Sequence, residues 1–328
     1  MCGIFGWQVE GNNLNTSRRF SIFASVLMAG NDTRGGHSWG YAGRRKPKHS
    51  RTKKLTIKKG LGNIVTGVSP IIITNFNYMM GHTRYASHGA KTIENAHPFR
   101  IKNIIGSHNG IVSNHKSLNE KYKRNFEVDS MHIFEHIANG IDVNDIEAYG
   151  AIEYIKKENP EIINLCCFNG GELAAYRFKG HKGIFWSSSE VHVKEALKLS
   201  GLKATQLIIE ENKVYTVHDN EVYQTKEKLN FKDYSSTLKW NSTATKQNGY
   251  KSSYGSTFKD DDMEDYDSSF YGSSTYQRTS LNTSMHTSID TKEKIYTNVK
   301  ELEEQERLEA LSGQKLLFNT KFDVHKGV

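Results

Sequence analysis

The chain has 328 residues, 36 % of them hydrophobic, and a formal net charge of +8, with a mean hydropathy of -0.63. That length can bury a real core, while the low hydropathy predicts that part of the chain stays solvated. No apolar run approaches the roughly 18 residues that cross a bilayer, and no charged head precedes an apolar leader, so a soluble, cytoplasmic protein is expected.

The chain opens Met1-Cys2-Gly3-Ile4-Phe5-Gly6. Removal of Met1 would put a thiol and a free α-amine on one residue, with ordinary pKa values of about 8.5 and about 8. A nucleophile and its base then share one amino acid. Ile4 to Val9 reads as a strand, and Ser17 to Ala29 repeats apolar residues at helical spacing. Residues 1–60 hold twelve Lys/Arg against two acids, concentrated between Arg44 and Lys59. That segment, 44–59, can attract an anionic partner; the plainer reading is a solvated hairpin.

Tyr78 to Arg84 reads as a buried strand that delivers Arg84 into a turn of small residues, Tyr85-Ala86-Ser87-His88-Gly89. A guanidinium there can grip a carboxylate through two parallel hydrogen bonds. A second buried strand, Ile101 to Asn109, ends in Ser107-His108-Asn109-Gly110. The Asn109 carboxamide and the Gly110 amide provide two donors aimed at one point, the composition of an oxyanion hole. Asp129 opens a predicted helix, Asp129 to Asn139, where it can hold an ammonium group; taken alone, it reads more simply as an N-cap. Asn144 to Lys157 is expected to form a further helix, stopped by Asn159-Pro160.

Strands are expected at Ile162 to Phe168, Glu172 to Phe178 and Gly183 to Ser188, with turns at Asn169-Gly170-Gly171 and Lys179-Gly180-His181. A helix at Val191 to Leu199 and strands at Thr205 to Glu210, Lys213 to Val217 and Glu221 to Gln224 complete an α+β domain, 1–229. His82 and His88 stand at strand ends, where histidine more often satisfies backbone groups than moves protons. Trp39 and Trp186 read as packing residues. The three cysteines, Cys2, Cys166 and Cys167, suit a reducing compartment better than a disulfide framework. No Cys/His group has zinc spacing, so neither metal nor cofactor is expected. Residues 230–291, rich in Ser, Thr, Tyr and Asp, read as a disordered linker, and 292–328 as an amphipathic helix and tail.

Together these blocks would hold a zwitterionic amino acid by both charged ends and present its side-chain carbonyl to a thiol. Glutamine satisfies that geometry. Cys2 to Gly6, Arg34-Gly35-Gly36-His37-Ser38-Trp39-Gly40, Gly81 to Gly89, Asn95-Ala96-His97-Pro98-Phe99 and His108-Asn109-Gly110 resemble the signature of the class II glutamine amidotransferases. The resemblance spans roughly residues 2–220 and departs at His37, where many members carry an acidic residue.

It implies an N-terminal-nucleophile hydrolase fold, a four-layer αββα sandwich of two antiparallel sheets. By the same carry-over Cys2 is the nucleophile and Asn109 and Gly110 stabilise the oxyanion. Arg84 holds the glutamine α-carboxylate and Asp129 its α-ammonium, while Tyr85, Ser87 and His88 line the pocket. The implied chemistry is a γ-glutamyl thioester, loss of ammonia and hydrolysis to glutamate. Residues 230–328 are too short and polar for the synthase domain that family members usually carry, and no phosphate-cradling loop occurs. A separate ammonia-accepting synthase is therefore the expected partner. Two other readings stand beside this: a stand-alone γ-glutamyl amide hydrolase, and a scaffold protein on the same fold.

Overall fold

The computed structural model describes residues 2–9, 18–45, 55–69 and 75–233. The expected linker and terminal helix, from 234 onward, and much of the basic segment lie outside the described residues. In chain order the elements are β1 (Gly3–Gln8), α1 (Arg18–Asp32), β2 (Ser38–Arg45), β3 (Thr56–Leu61), α2 (Ile64–Gly67), β4 (Phe76–Arg84), β5 (Phe99–Ile101) and β6 (Ile104–Val112). There follow α3 (His115–Tyr122), α4 (Met131–Asn139), β7 (Ala148–Lys156), β8 (Ile163–Phe168), β9 (Ala174–Phe178), β10 (Ile184–Ser187), α5 (Glu190–Ser200), β11 (Ala204–Leu207), β12 (Lys213–His218) and β13 (Glu221–Lys228).

These strands form a seven-stranded sheet, ordered β11-β9-β10-β1-β4-β2-β3, and a six-stranded sheet, ordered β13-β12-β8-β7-β6-β5. Neighbours within each sheet pair antiparallel. Side-chain alternation divides the interior into three layers. In β1, Phe5 and Trp7 face one way and join Phe20, Phe23 and Leu27 of α1 and Val193 and Ala196 of α5. Ile4 faces the other way and meets Ile105, Ala151, Ile155 and Leu165 between the sheets. The far side of the six-stranded sheet packs Ile104, Ile152, Tyr154 and Phe168 on Ile133 and Phe134 of α4. Helices, sheet, sheet and helices thus stack as the four-layer αββα sandwich that the resemblance implied.

The segment 144–157 corrects the expectation of a helix. Apart from a short 3-10 turn at Val143–Asp145, it forms β7, a central strand between β6 and β8. Its run Ala148 to Lys156 is buried on both faces, so it shows no clean alternation, and periodicity cannot separate it from a buried helix. The β-branched and aromatic residues, together with Gly150 at φ +135°, decide for the strand. The basic hairpin reading holds where it is described, since β2 and β3 pair directly. Past β13 the packed chain continues: Phe231 stacks on Phe168 at 3.9 Å and Lys232 bridges to Glu147.

The inter-sheet layer also buries an acid. Glu153 on β7 accepts a hydrogen bond from the Trp186 indole on β10 (2.6 Å), tying the two sheets together. Burial pushes its carboxyl well above the ordinary range, against the lowering pull of its bond from Trp186.

Candidate active site

Cys2 immediately precedes β1. Because Gly3 pairs with Thr83, the register sets Cys2 beside the end of β4 and the turn that begins at Tyr85. The Tyr85 amide donates to the Cys2 sulfur (3.3 Å), and the thiol reaches the Tyr85 carbonyl (3.5 Å). Burial raises the Cys2 pKa, while the Tyr85 backbone bond and the Arg84 charge work to lower it. At neutral pH the resting group is therefore the thiol, and attack requires a base.

The sulfur opens on a cavity of about 340 Å³. Its lining includes Cys2, Tyr85 and Ser87 on one side, and Asn109 and Gly110 on the other. Five of the eight sequence-derived candidates thus share one wall-to-wall space. Asn109 and Gly110 lie inside β6, which runs on to Val112 instead of ending at Asn109. A Cβ at Gly110 would sit 1.9 Å from the Tyr149 carbonyl, and one at Gly171 would sit 1.8 Å from that of Gly150. Three backbones approach closely here because glycine alone leaves them room.

The other three candidates do not line the cavity: Arg84 and Asp129 are buried, and His88 is partly exposed. Arg84 is 2 % exposed, and its guanidinium donates to the carbonyls of His88, Ala90 (3.0 Å) and Gly89 (3.5 Å). It braces the loop after β4 from within. Asp129 is buried, accepts a hydrogen bond from the Val112 amide (2.7 Å) and has His88 at 3.9 Å. Its carboxylate does not cap α4; the N-cap position is Ser130. Both charges still act on the thiol, Arg84 lowering its pKa and Asp129 raising it.

His82 follows the plainer reading: its Nε2 lies 3.1 Å from the His108 carbonyl, and burial drives its pKa to about 3. Among the described residues, no cluster of ligands that could hold a metal ion occurs, and no helix is long and apolar enough to cross a membrane. Three described cations of the basic segment lie over rings: Arg45 on Phe76 at 5.6 Å, Lys58 on Trp39 at 5.8 Å and Lys59 on Phe99 at 5.4 Å.

Seven further lining residues were not among the sequence-derived candidates, and three of them, Arg34, Tyr149 and Glu172, carry polar side chains. Arg34 donates to the Ser188 carbonyl and is electrostatically coupled to Glu172 and to Cys2. Its signal was present in the Arg34-Gly35-Gly36 block. Tyr149 and Glu172 arrive only through strand pairing and a turn, which no local motif announces.

No family model matches the chain. It is 26 % identical over 261 residues to a glutamine–fructose-6-phosphate aminotransferase [isomerizing] of Streptococcus mutans, covering 71 % of this chain and 37 % of that protein. The enzyme of the same name from Listeria monocytogenes is 32 % identical over 131 residues, covering 38 % of this chain and 19 % of the relative. The chain therefore matches well under half the length of these relatives. Among solved structures, the allosteric regulatory enzyme of purine biosynthesis superposes with a TM-score of 0.50 at 16 % identity, covering 70 % of this chain and 50 % of that one. That likeness establishes the fold.

Proposed function

We propose that the chain is a class II glutamine amidotransferase and that residues 1–229 carry out the family's glutaminase half-reaction, a reading supported by its likeness to glutamine–fructose-6-phosphate aminotransferases. One observation carries the reading: Cys2, Asn109 and Gly110, delivered by two different sheets, line a single cavity. With Met1 removed, the α-amine of Cys2 takes the thiol proton as the sulfur attacks the side-chain amide carbon of glutamine. The raised thiol pKa makes that base necessary.

The tetrahedral oxyanion lies between the Asn109 carboxamide and the Gly110 amide. The protonated amine then passes its proton to the leaving nitrogen, ammonia departs, and a γ-glutamyl thioester remains. Water, deprotonated by the same amine, releases glutamate. Arg84 and Asp129 fix the two charged ends of the substrate, and Tyr85, Ser87 and His88 shape the loop above it. For Arg84 this means exchanging a loop carbonyl for the substrate carboxylate, so binding and loop position are linked. The ammonia passes to an acceptor on a separate synthase, with the segment beyond residue 229 as its docking device and the basic segment 44–59 as a site for an anionic partner.

Glutamate release from glutamine by purified full-length protein tests the reading, with mass spectrometry of the mature N-terminus. Cys2→Ala should lower the rate roughly a thousandfold or more while leaving the melting temperature near wild type. Full activity in that variant, or an active protein that retains Met1, overturns the assignment. Preference for γ-glutamyl peptides over glutamine would favour the stand-alone hydrolase.

A further inference from the structure

His37 lies between α1 and β2 and touches the turn beside the nucleophile at several points. Its amide donates to the Arg84 carbonyl (3.1 Å). Its Nδ1 accepts from the Ala86 amide (3.0 Å). Its ring stacks on the Tyr85 ring, with centroids 4.6 Å apart and planes 27° from parallel. Both chain neighbours of Tyr85 are thus tied to one residue, and the Tyr85 side chain rests on it. The Tyr85 amide, held between those ties, donates to the Cys2 sulfur. On the other side the His37 carbonyl accepts from the Gly62 amide (3.1 Å), which anchors His37 itself.

We propose that His37 is a positioning residue that fixes the Arg84–Ala86 turn against the Cys2 sulfur, and that it does so only as a neutral imidazole. To accept at Nδ1 the ring must keep its single proton on Nε2. A second proton turns Nδ1 into a donor facing the Ala86 N–H, and the tie becomes repulsive. The surroundings favour the neutral ring: burial, then Lys91, Arg84 and the N-terminal amine, lower the His37 pKa. Tyr85 presents its ring face to the imidazole. Acid would therefore loosen the turn, withdraw the Tyr85 amide from the sulfur and lose the support that this amide gives the thiolate.

The activity arm rests on the glutaminase reading; the labelling arm does not. Full-length wild type, His37→Ala and His37→Asn are compared in glutamine hydrolysis and in iodoacetamide labelling, both across pH. Cys166 and Cys167 are buried, so labelling located by mass spectrometry reports Cys2. His37→Ala should lower kcat/KM about three- to tenfold, mainly in kcat, as expected for the loss of one hydrogen bond. Its labelling profile should move to higher pH.

His37→Asn presents an amide oxygen where Nδ1 stood and should restore both values. It should also lack the acid limb that wild type acquires as the imidazole protonates. An alanine variant identical to wild type in both assays overturns the proposal, as does an asparagine variant that fails to rescue. Should the alanine variant not fold, matching acid limbs in wild type and His37→Asn overturn it equally. If no protein releases glutamate, the function falls, and the labelling profiles still decide the role of His37.

Discussion

The two sheets meet at the cavity with different materials. The seven-stranded side brings side chains, namely the Cys2 sulfur, the Arg34 guanidinium and the Tyr85 ring. The six-stranded side brings Asn109, Ile111 and Tyr149, but much of it is backbone: Gly110, Gly150 and Gly171 stack so closely that a Cβ would overlap a neighbouring carbonyl. One wall is therefore sensitive to chemical identity and the other to volume. The division suits acyl transfer, in which a mobile nucleophile faces donors that must not reorganise.

Asn109 is the proposed side-chain donor on the six-stranded wall, and its removal should have the largest effect there. Asn109→Ala is expected to cut kcat by about 10²–10³, the usual loss for one oxyanion donor, with little change in melting temperature. A kcat within a factor of two of wild type would leave the hole without its side-chain donor. Next comes Gly150→Ala. Its Cβ would sit 2.3 Å from the Asn109 carbonyl at a φ of +135° that alanine rarely adopts. A destabilisation of roughly 2–3 kcal/mol in urea unfolding is expected from the strain and the overlap. A variant as stable as wild type would mean that this wall yields, and the contrast between the two sides would fail.

The smallest effect lies in acid. Burial holds His82 near a pKa of about 3 and His132 near about 4, whereas each titrates near 6.5 when unfolded. Between those values the unfolded chain binds more protons, so this stability is present above pH 6.5 and lost as pH falls. Lowering pH from 6.5 to 5.5 should cost about 1 kcal/mol for each such histidine. Glu153 acts in the opposite sense, because its folded carboxyl keeps the proton that the unfolded chain releases above its ordinary pKa. Glu153→Gln should therefore steepen the acid loss, measured by urea unfolding at pH 7.5, 6.5 and 5.5. A flat profile in both proteins would mean that water reaches these rings.

Legibility in the sequence followed the same division. Cys2, Arg84 and Asn109 stood out as candidates because each sits in a short block whose residue types make sense only together, whereas Asp129 stood alone at a predicted helix start. The β1, β4, β8 and β10 strands were legible from bounded apolar runs, and α1 and α4 from helical spacing. β7 was not, because a strand covered on both faces loses its period of two. Arg84 and Asp129 were read as groups facing a ligand. Their burial beneath loop carbonyls and the Val112 amide depends on the path of the 85–90 loop and on β6, and neither is encoded at those positions. Tyr149 reaches the cavity through strand register and Glu172 through the turn between β8 and β9.

Open sheets leave outer rims, and here β3 and β13 are two of them. β3 carries Lys58 and Lys59, and β13 carries Lys226, Glu227 and Lys228. A second molecule approaching β3 in the same orientation would bring ammonium groups against ammonium groups, and adding a strand would require their dehydration. The charges that look like bait for an anionic partner thus also act as a guard against fibrillar self-association.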